Sequence, residues 1–266
     1  MKKLYLILCL YTLMLFSVED VSAVIFSDDF EDGVIDSSLW VVGGNKTSYL
    51  YQPAGDWQYS HDEIIATDGY LESRVWGPAS GNTYGAEAWI RTTQNFNDGG
   101  DYVINFTWQP FTDGWVDFHF IQITDGYSPQ NANYDWPISN PPAGTTDLLW
   151  YEPYGPGSIN CWPTQKVQEL QGLGITKMSM SISITSDGIA RLYEDSDLTG
   201  NLLHEASLNP NPSVEWYLRF MLCDATSAGF GAGDSSFNLY DIEVIPEPAT
   251  LLLLSLGGLI LRRKKH

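Results

Sequence analysis

Apolar and polar residues alternate with a period of two along much of the chain, which is the pattern of a strand that buries one face. In the segment 101–110, every second residue is aromatic or aliphatic: Tyr102, Ile104, Phe106 and Trp108. In the segment 177–185, serines alternate with Met178, Met180, Ile182 and Ile184. Both segments are therefore predicted to be β-strands with one face in a hydrophobic core.

Eight further segments are predicted to be strands on the same grounds. They are residues 28–30, 39–42, 70–76, 86–92, 115–125, 190–195, 214–222 and 237–244. The tripeptide Ser186-Asp187-Gly188 predicts a tight hairpin between the strands on either side of it.

The predicted strands are separated by segments rich in Gly, Asn, Asp and Pro, which favours an all-β sandwich. Long loops are predicted at 43–62, 126–146 and 153–175, with a short helical turn at 165–170. No internal repeat or linker divides residues 24–245. This segment is long enough to form one domain with a sizeable core.

The N-terminus has the pattern of a secretory signal peptide over residues 1–23. Lys2 and Lys3 precede an apolar helix-forming run from Leu4 to Phe16, and Val21-Ser22-Ala23 has the small residues that signal peptidase requires. Cleavage is predicted after Ala23. The alternative, an N-terminal membrane anchor, is disfavoured because the apolar run is short.

The C-terminal segment 246–266 combines three features: Pro246-Glu247-Pro248, an apolar run from Leu251 to Leu261, and the basic end Arg262 to Lys265. The run predicts a short hydrophobic helix. At about 1.5 Å per residue, the helix from Ala249 spans roughly 20 Å of a hydrocarbon core of about 30 Å. A removable sorting tail fits this short span better than the alternative, a permanent membrane anchor.

These three features in this order resemble the PEP-CTERM sorting signal of Gram-negative bacteria. In that family an exosortase, a membrane cysteine protease, recognises the triplet and removes the tail. The resemblance implies export across the inner membrane to the cell surface or extracellular matrix, with transient anchoring in the membrane. Exosortase and signal peptidase are the partners that it implies during export.

The body between the two processing segments is strongly acidic. Residues 24–245 keep seven of the 13 Lys and Arg residues and 30 of the 33 Asp and Glu residues, so their net charge is close to −23. Such a charge repels nucleic acid and anionic lipids, so we expect membrane contact only through the C-terminal segment. The body retains Cys161 and Cys223, which could pair outside the cytoplasm or stay as buried thiols.

Three parts of the chain carry a pattern of strand starts and ends: residues 26–33 with 36–40, the hairpin strand 188–194, and the closing strand 240–244. This pattern resembles the concanavalin A-like jelly roll of lectins and glucanases. The resemblance implies that the first and last strands lie side by side.

Glucanases of this fold carry their catalytic carboxylates in a Glu-x-Asp-x-x-Glu run on one strand. No such run occurs in the sequence, and the acidic cluster at 194–197 follows a hairpin strand, as a turn does. The chain is therefore predicted not to be an enzyme.

Binding of polysaccharide fits the sequence better, because aromatic rings stack on sugars while carboxylates and arginines bind hydroxyl groups. Three predicted strands offer such side chains, if their faces share one sheet: Glu87, Trp89 and Arg91; Asp117 and His119; Tyr217 and Arg219. The competing interpretations are core packing for Trp89 and a salt bridge between Glu87 and Arg91. If Trp89 binds sugar, Trp89→Ala should abolish binding and leave stability nearly intact.

Related jelly rolls often hold a structural calcium ion where the first and last strands meet. The carboxylates of Glu31 and Asp241 are the candidates here. The competing interpretation is that they are solvated or cap backbone groups. Three functions thus stay open for the body: polysaccharide binding, glycoside hydrolysis at an unrecognised site, and a purely structural role in the matrix.

Overall fold

The structure is a computed structural model of the 266-residue chain. It describes residues 24–47, 61–67, 69–76, 84–112, 117–124, 145–153, 159–162, 177–226 and 234–246. The predicted signal helix at 1–23, the predicted C-terminal hydrophobic helix and the helical turn predicted at 165–170 lie outside these residues. Nowhere in the described ranges does a helix occur with the length and apolar character that crossing a bilayer requires.

The described residues form fourteen strands. In chain order they are β1 (Phe26–Asp28), β2 (Trp40–Thr47), β3 (His61–Thr67), β4 (Tyr70–Trp76), β5 (Tyr84–Thr92), β6 (Tyr102–Thr112), β7 (Asp117–Thr124), β8 (Thr145–Pro153), β9 (Ile159–Trp162), β10 (Met178–Ile184), β11 (Ile189–Glu194), β12 (Leu202–Ser207), β13 (Tyr217–Thr226) and β14 (Asp234–Pro246). All ten predicted strand segments overlap one of these, which confirms the all-β prediction.

The strands form two antiparallel sheets. The first sheet has the order β12-β11-β10-β6-β14-β4-β3, with β1 also paired to β14. The second sheet has the order β2-β5-β13-β7-β8-β9. Phe26 of β1 lies opposite Val244 of β14, so the first and last strands are neighbours, as predicted. The pairing gives the short first strand a partner along one edge.

The hydrophobic core lies between the two sheets. The aromatic ring of Phe220 from the second sheet meets Phe106 of the first sheet edge-on, with 5.2 Å between ring centroids. Phe220 also lies 6.4 Å from Phe237. The predicted buried face of β6 is confirmed, since Ile104, Phe106 and Trp108 are almost fully buried. Every second residue of these strands therefore contributes to one continuous core.

Four strands were not predicted: β3, β8, β9 and β12. β9 occupies part of the predicted loop 153–175, and β2 extends to Thr47 into the predicted loop 43–62, so both loop predictions are wrong there. In β8, Leu148 and Leu149 are both buried because the register with β7 shifts between Ile121 and Gln122. A bulge of this kind breaks the period of two on which the prediction depends.

The topology separates the two cysteines. Cys223 lies on β13 and Cys161 on β9, with β7 and β8 between these strands. Three steps of about 4.8 Å between neighbouring strands exceed the roughly 7 Å that a disulfide tolerates between Cα atoms. Of the two alternatives, the sheet order therefore excludes the disulfide.

Candidate functional site

Three strands that carry predicted site residues lie next to one another in the second sheet, in the order β5-β13-β7. Arg91 of β5 lies opposite Arg219 of β13, and Trp89 of β5 lies opposite Met221 of β13. On β13, Arg219 and Met221 alternate with Phe220, which points into the core. They therefore lie on the side of the second sheet that faces away from the first sheet, called here the outer face.

His119 does not lie on the outer face. It is opposite Leu222, a core residue, and its ring packs edge-on against Trp108 at 6.0 Å. His119 is fully buried, and its Nε2 lies 3.0 Å from the carbonyl oxygen of Ser236, which accepts the bond. Burial lowers the pKa of His119 to about 4. The grouping of His119 with the outer-face residues is wrong because it has the opposite parity in the sheet.

Two other predicted residues are described only by their backbone. Asp117 is in register with Asp224, and Glu87 is in register with Cys223. Their side chains lie outside the described residues, as does the salt bridge considered between Glu87 and Arg91. A binding role for either stays a prediction.

The outer face contains an apolar patch of its own, formed by Trp89, Met221 and Phe120. Met221 lies between the other two in register, and all three are buried without belonging to the core between the sheets. The indole ring of Trp89, which is 7% exposed, lies across Gly43 of β2. A Cβ atom at Gly43 would collide with that ring, so only glycine allows this position of the indole.

Next to the apolar patch, a polar chain runs across three strands. Arg219 is 1% exposed, and its Nε donates a hydrogen bond of 2.8 Å to Oε1 of Gln122. The Nε2 of Gln122 donates a bond of 2.6 Å to Oδ1 of Asp147 on β8. Burial raises the pKa of Asp147 to about 6, although Gln122 and the charge of Arg219 act against the rise. The three side chains hold one another at fixed positions.

Arg91 and Tyr217 are the partly exposed members of the outer face. The guanidinium carbon of Arg91 lies 4.2 Å from the centroid of the Tyr217 ring, which is a cation–π contact. Burial raises the pKa of Tyr217, with a further rise from its hydrogen bond to Glu215. The pair forms a flat cationic and aromatic surface beside Arg219.

Sequence reasoning missed Gln122, Asp147, Phe120 and Met221 as members of the outer face. Phe120 and Met221 look like core residues by composition, and the register shift in β8 hides the parity of Asp147. No local pattern in the sequence groups these four residues.

The predicted calcium ligands lie elsewhere, at the junction of β1 and β14. Glu31 and Asp241 both line an open cleft of about 540 Å³. Five more carboxylates line this cleft: Asp28, Asp29, Asp32, Asp36 and Glu243. Several are engaged in turns, since Asp29, Asp32 and Asp36 each accept a hydrogen bond from the backbone N–H two residues later.

Across the described ranges, no three His, Cys, Asp or Glu side chains are arranged to hold a metal ion. The turn hydrogen bonds show that Asp29, Asp32 and Asp36 cap backbone groups. Calcium binding by Glu31 and Asp241 stays a prediction, and the comparison of melting temperatures in calcium and in EDTA tests it.

Residues 244–265 match the PEP-CTERM protein-sorting motif. Pro246 of that motif is the last residue of β14, while Glu247 and Pro248, like Ala23 at the predicted signal cleavage site, lie outside the described residues. No curated protein is significantly similar to the chain in sequence.

The fold is similar to that of solved carbohydrate-active proteins. A glycoside hydrolase family protein from Mycobacterium thermorestibile has a TM-score of 0.51 at 11% identity, covering 83% of this chain and 100% of its own. A glycosyl hydrolase family 16 protein from Mycobacterium smegmatis has a TM-score of 0.46 at 10% identity, with 84% and 100% covered. The carbohydrate recognition domain of Emp47p has a TM-score of 0.40 at 12% identity, with 70% and 87% covered.

At these identities the structural likeness shows the fold alone. The sorting motif indicates export and a cell-surface or extracellular location in a Gram-negative bacterium. The chain therefore contains a concanavalin A-like β-sandwich that is followed by a PEP-CTERM signal for exosortase-dependent export.

Proposed function

We propose that the exported β-sandwich binds polysaccharide on the outer face of the second sheet. The observation that carries the proposal is the pair Arg91 and Tyr217, partly exposed and stacked at 4.2 Å beside the polar chain from Arg219 to Asp147. The ring of Tyr217 supplies a stacking surface for the C–H face of a sugar, and the guanidinium of Arg91 supplies hydrogen bonds for its hydroxyls. A purely structural sandwich does not need a partly exposed arginine stacked on a partly exposed tyrosine at this face.

We infer that this face binds without hydrolysing. A retaining glycosidase needs two carboxyl groups about 5 Å apart, one as nucleophile and one as acid. At the spacing of the glucanase run, β8 offers only the carboxylate of Asp147, between Thr145 and Trp150. The pKa of Asp147 is about 6, which suits a proton donor, so the test below includes a search for cleavage products.

Affinity electrophoresis tests the proposal directly. The mature protein is run through gels that contain neutral and acidic polysaccharides, and Tyr217→Ala and Arg91→Gln are compared with the wild type. Tyr193→Ala is the matched control, because Tyr193 is a partly exposed tyrosine on the first sheet. We expect retardation of the wild type and of the control, and its loss in the two outer-face variants.

Equal retardation of all four proteins would place binding elsewhere, and no retardation in any gel would leave the structural role. Release of reducing ends from any of the polysaccharides would show that the chain is a hydrolase with an unrecognised site.

For export, we propose that signal peptidase cleaves after Ala23 and that an exosortase removes the tail near Pro246-Glu247-Pro248. Until that removal, the C-terminal apolar segment anchors the protein in the membrane, so the anchoring is transient. The masses of the two terminal peptides of the mature protein test this. A mature chain that still contains residues 251–261 would show a permanent anchor instead.

A further inference from the structure

Two cationic residues occupy neighbouring positions on the outer face. Arg91 and Arg219 occupy directly opposite positions on neighbouring antiparallel strands. Like charges in such positions destabilise a sheet. Residues 24–245 contain only seven basic side chains against 30 acidic ones, and two of the seven lie at this place. The pair concentrates positive charge on one point of a body that is negative overall.

The guanidinium of Arg219 is incompletely satisfied. Its Nε donates to Gln122, but its Nη2 is buried and has no hydrogen-bond partner among the residues that the structure describes. Gln122 lies between the guanidinium and the carboxylate of Asp147, so the side-chain amide of Gln122 links Arg219 to Asp147. A buried guanidinium ordinarily has an anion as a direct partner, because burial of a charged donor without one is costly.

Building on the proposed function, we propose that the polysaccharide is acidic and that a sugar carboxylate binds between Arg219 and Arg91. A carboxylate matches the planar fork of a guanidinium with two parallel hydrogen bonds, and it offsets the repulsion of the two cations. Arg91 and Tyr217 are partly exposed, whereas Arg219 is 1% exposed. The ring of the sugar therefore stacks on Tyr217 while its acid group enters beside Arg91, and binding uncovers the Nη2 of Arg219.

The test compares two polymers that differ only in charge: polygalacturonate and the same polymer after chemical reduction of its carboxyl groups. The body carries a net charge close to −23, so its overall charge favours the reduced, neutral polymer. A preference for the acidic polymer therefore has to come from a local site. We expect the mature protein to bind polygalacturonate at least about tenfold more tightly than the reduced polymer, which is the difference that one charge-assisted hydrogen bond supplies.

Arg219→Gln and Arg91→Gln should each remove the preference for polygalacturonate. Arg191→Gln is the matched control, since Arg191 pairs with Glu205 on the first sheet and its replacement changes the net charge equally. Because Arg219 is buried, the melting temperature of each variant is measured first, and the more exposed Arg91→Gln decides the test if Arg219→Gln unfolds.

Equal or tighter binding of the reduced polymer would overturn the acidic ligand while leaving polysaccharide binding in place. Failure of both polymers and of the neutral polysaccharides tested above would overturn the proposed function as well. Loss of the preference in Arg191→Gln would show that net charge, and not the outer face, selects the ligand.

Discussion

The carboxylate of Asp28 accepts a hydrogen bond of 2.6 Å from the indole N–H of Trp40. Asp28 belongs to β1 in the first sheet and Trp40 begins β2 in the second, so this bond joins the two layers where the domain begins. The ring of Trp40 also meets Phe26 edge-on at 5.2 Å and lies 5.9 Å from Phe30. The acidic opening of the domain thus has a structural use that its composition alone does not reveal.

Asp28→Ala should lower the free energy of unfolding by about 1–3 kcal/mol, because the indole N–H of the buried Trp40 loses its acceptor. Denaturation by urea measures the effect. Asp29→Ala is the control, since Asp29 is exposed and only caps the backbone N–H of Glu31. If the two variants lost equal stability, the bond between the sheets would have no special role.

Trp89→Ala should reduce polysaccharide binding and also cost stability, which corrects the expectation drawn from the sequence. Trp89 is 7% exposed and its ring lies across Gly43, so truncation leaves a cavity that costs about 3 kcal/mol. Parallel measurements of melting temperature and gel retardation separate the two effects. A variant with the melting temperature of the wild type would show that the indole does not pack in solution as the structure describes.

Stability should depend on pH in opposite directions through two groups, the fully buried His119 and the partly buried Asp147. The pKa of His119 is lowered to about 4, so its contribution is lost as the pH falls from 6.5 towards 4. The pKa of Asp147 is raised to about 6, so its contribution is present below its ordinary pKa of 3.8 and is lost as the pH rises through 6. The two effects oppose each other between about pH 4 and 6.

Asp147→Asn isolates one of these effects. Without the carboxylate, the variant should gain stability relative to the wild type as the pH rises from 4 to 6, and the difference should be constant above the pKa of about 6. Urea denaturation at a series of pH values gives this difference. A difference that does not change with pH would mean that Asp147 titrates normally in the folded protein.

Both Cys161 and Cys223 should react with iodoacetamide in denaturant without prior reduction, because β7 and β8 separate their strands. Mass spectrometry of the alkylated mature protein counts the modified thiols. The melting temperature should also be the same with and without dithiothreitol. A mature protein that gains two alkyl groups only after reduction would contradict the order of the second sheet.

A chain of residues 24–246 should fold by itself, whereas residues 24–236 should not. The shorter chain lacks most of β14, which lies between β6 and β4 in the first sheet and supplies Phe237, Leu239, Ile242 and Val244 to the core. Cooperative thermal unfolding and near-UV circular dichroism distinguish the two outcomes. A cooperative transition in the shorter chain would show that β14 is dispensable.

The sequence predicts the fold well where strands are long and lie in the middle of a sheet. In β6 the period of two follows directly from one face being buried and the other only partly buried. In β10, Ser181 and Ser183 between the core residues are buried as well, so the alternation there is one of residue type. The period of two fails in β8, where Leu148 and Leu149 are both buried at a register shift, and in β12, an edge strand in which only Leu203 is buried. A short edge strand has little burial to leave a pattern in the sequence.

The candidate site was predicted in part for a related reason. Parity along β5 and β13 correctly places Trp89 with Arg91 and Tyr217 with Arg219 on one face. Parity within a strand cannot tell which face of the next strand points the same way, so His119 was grouped with the wrong side. The partnership of Arg219, Gln122 and Asp147 depends on the pairing of three strands that are far apart in sequence, and no local pattern contains it.

The position of β14 has a consequence for the order of events during export. This strand is the last of the body to be synthesised and to cross the membrane, yet it lies in the interior of the first sheet and runs directly into Pro246. Until β14 is in place, no hydrogen-bonded pair of strands joins the β3-β4 part of that sheet to the part formed by β6, β10, β11 and β12. The first sheet can therefore be completed only after β14 has been translocated, and the sorting signal follows directly behind this strand.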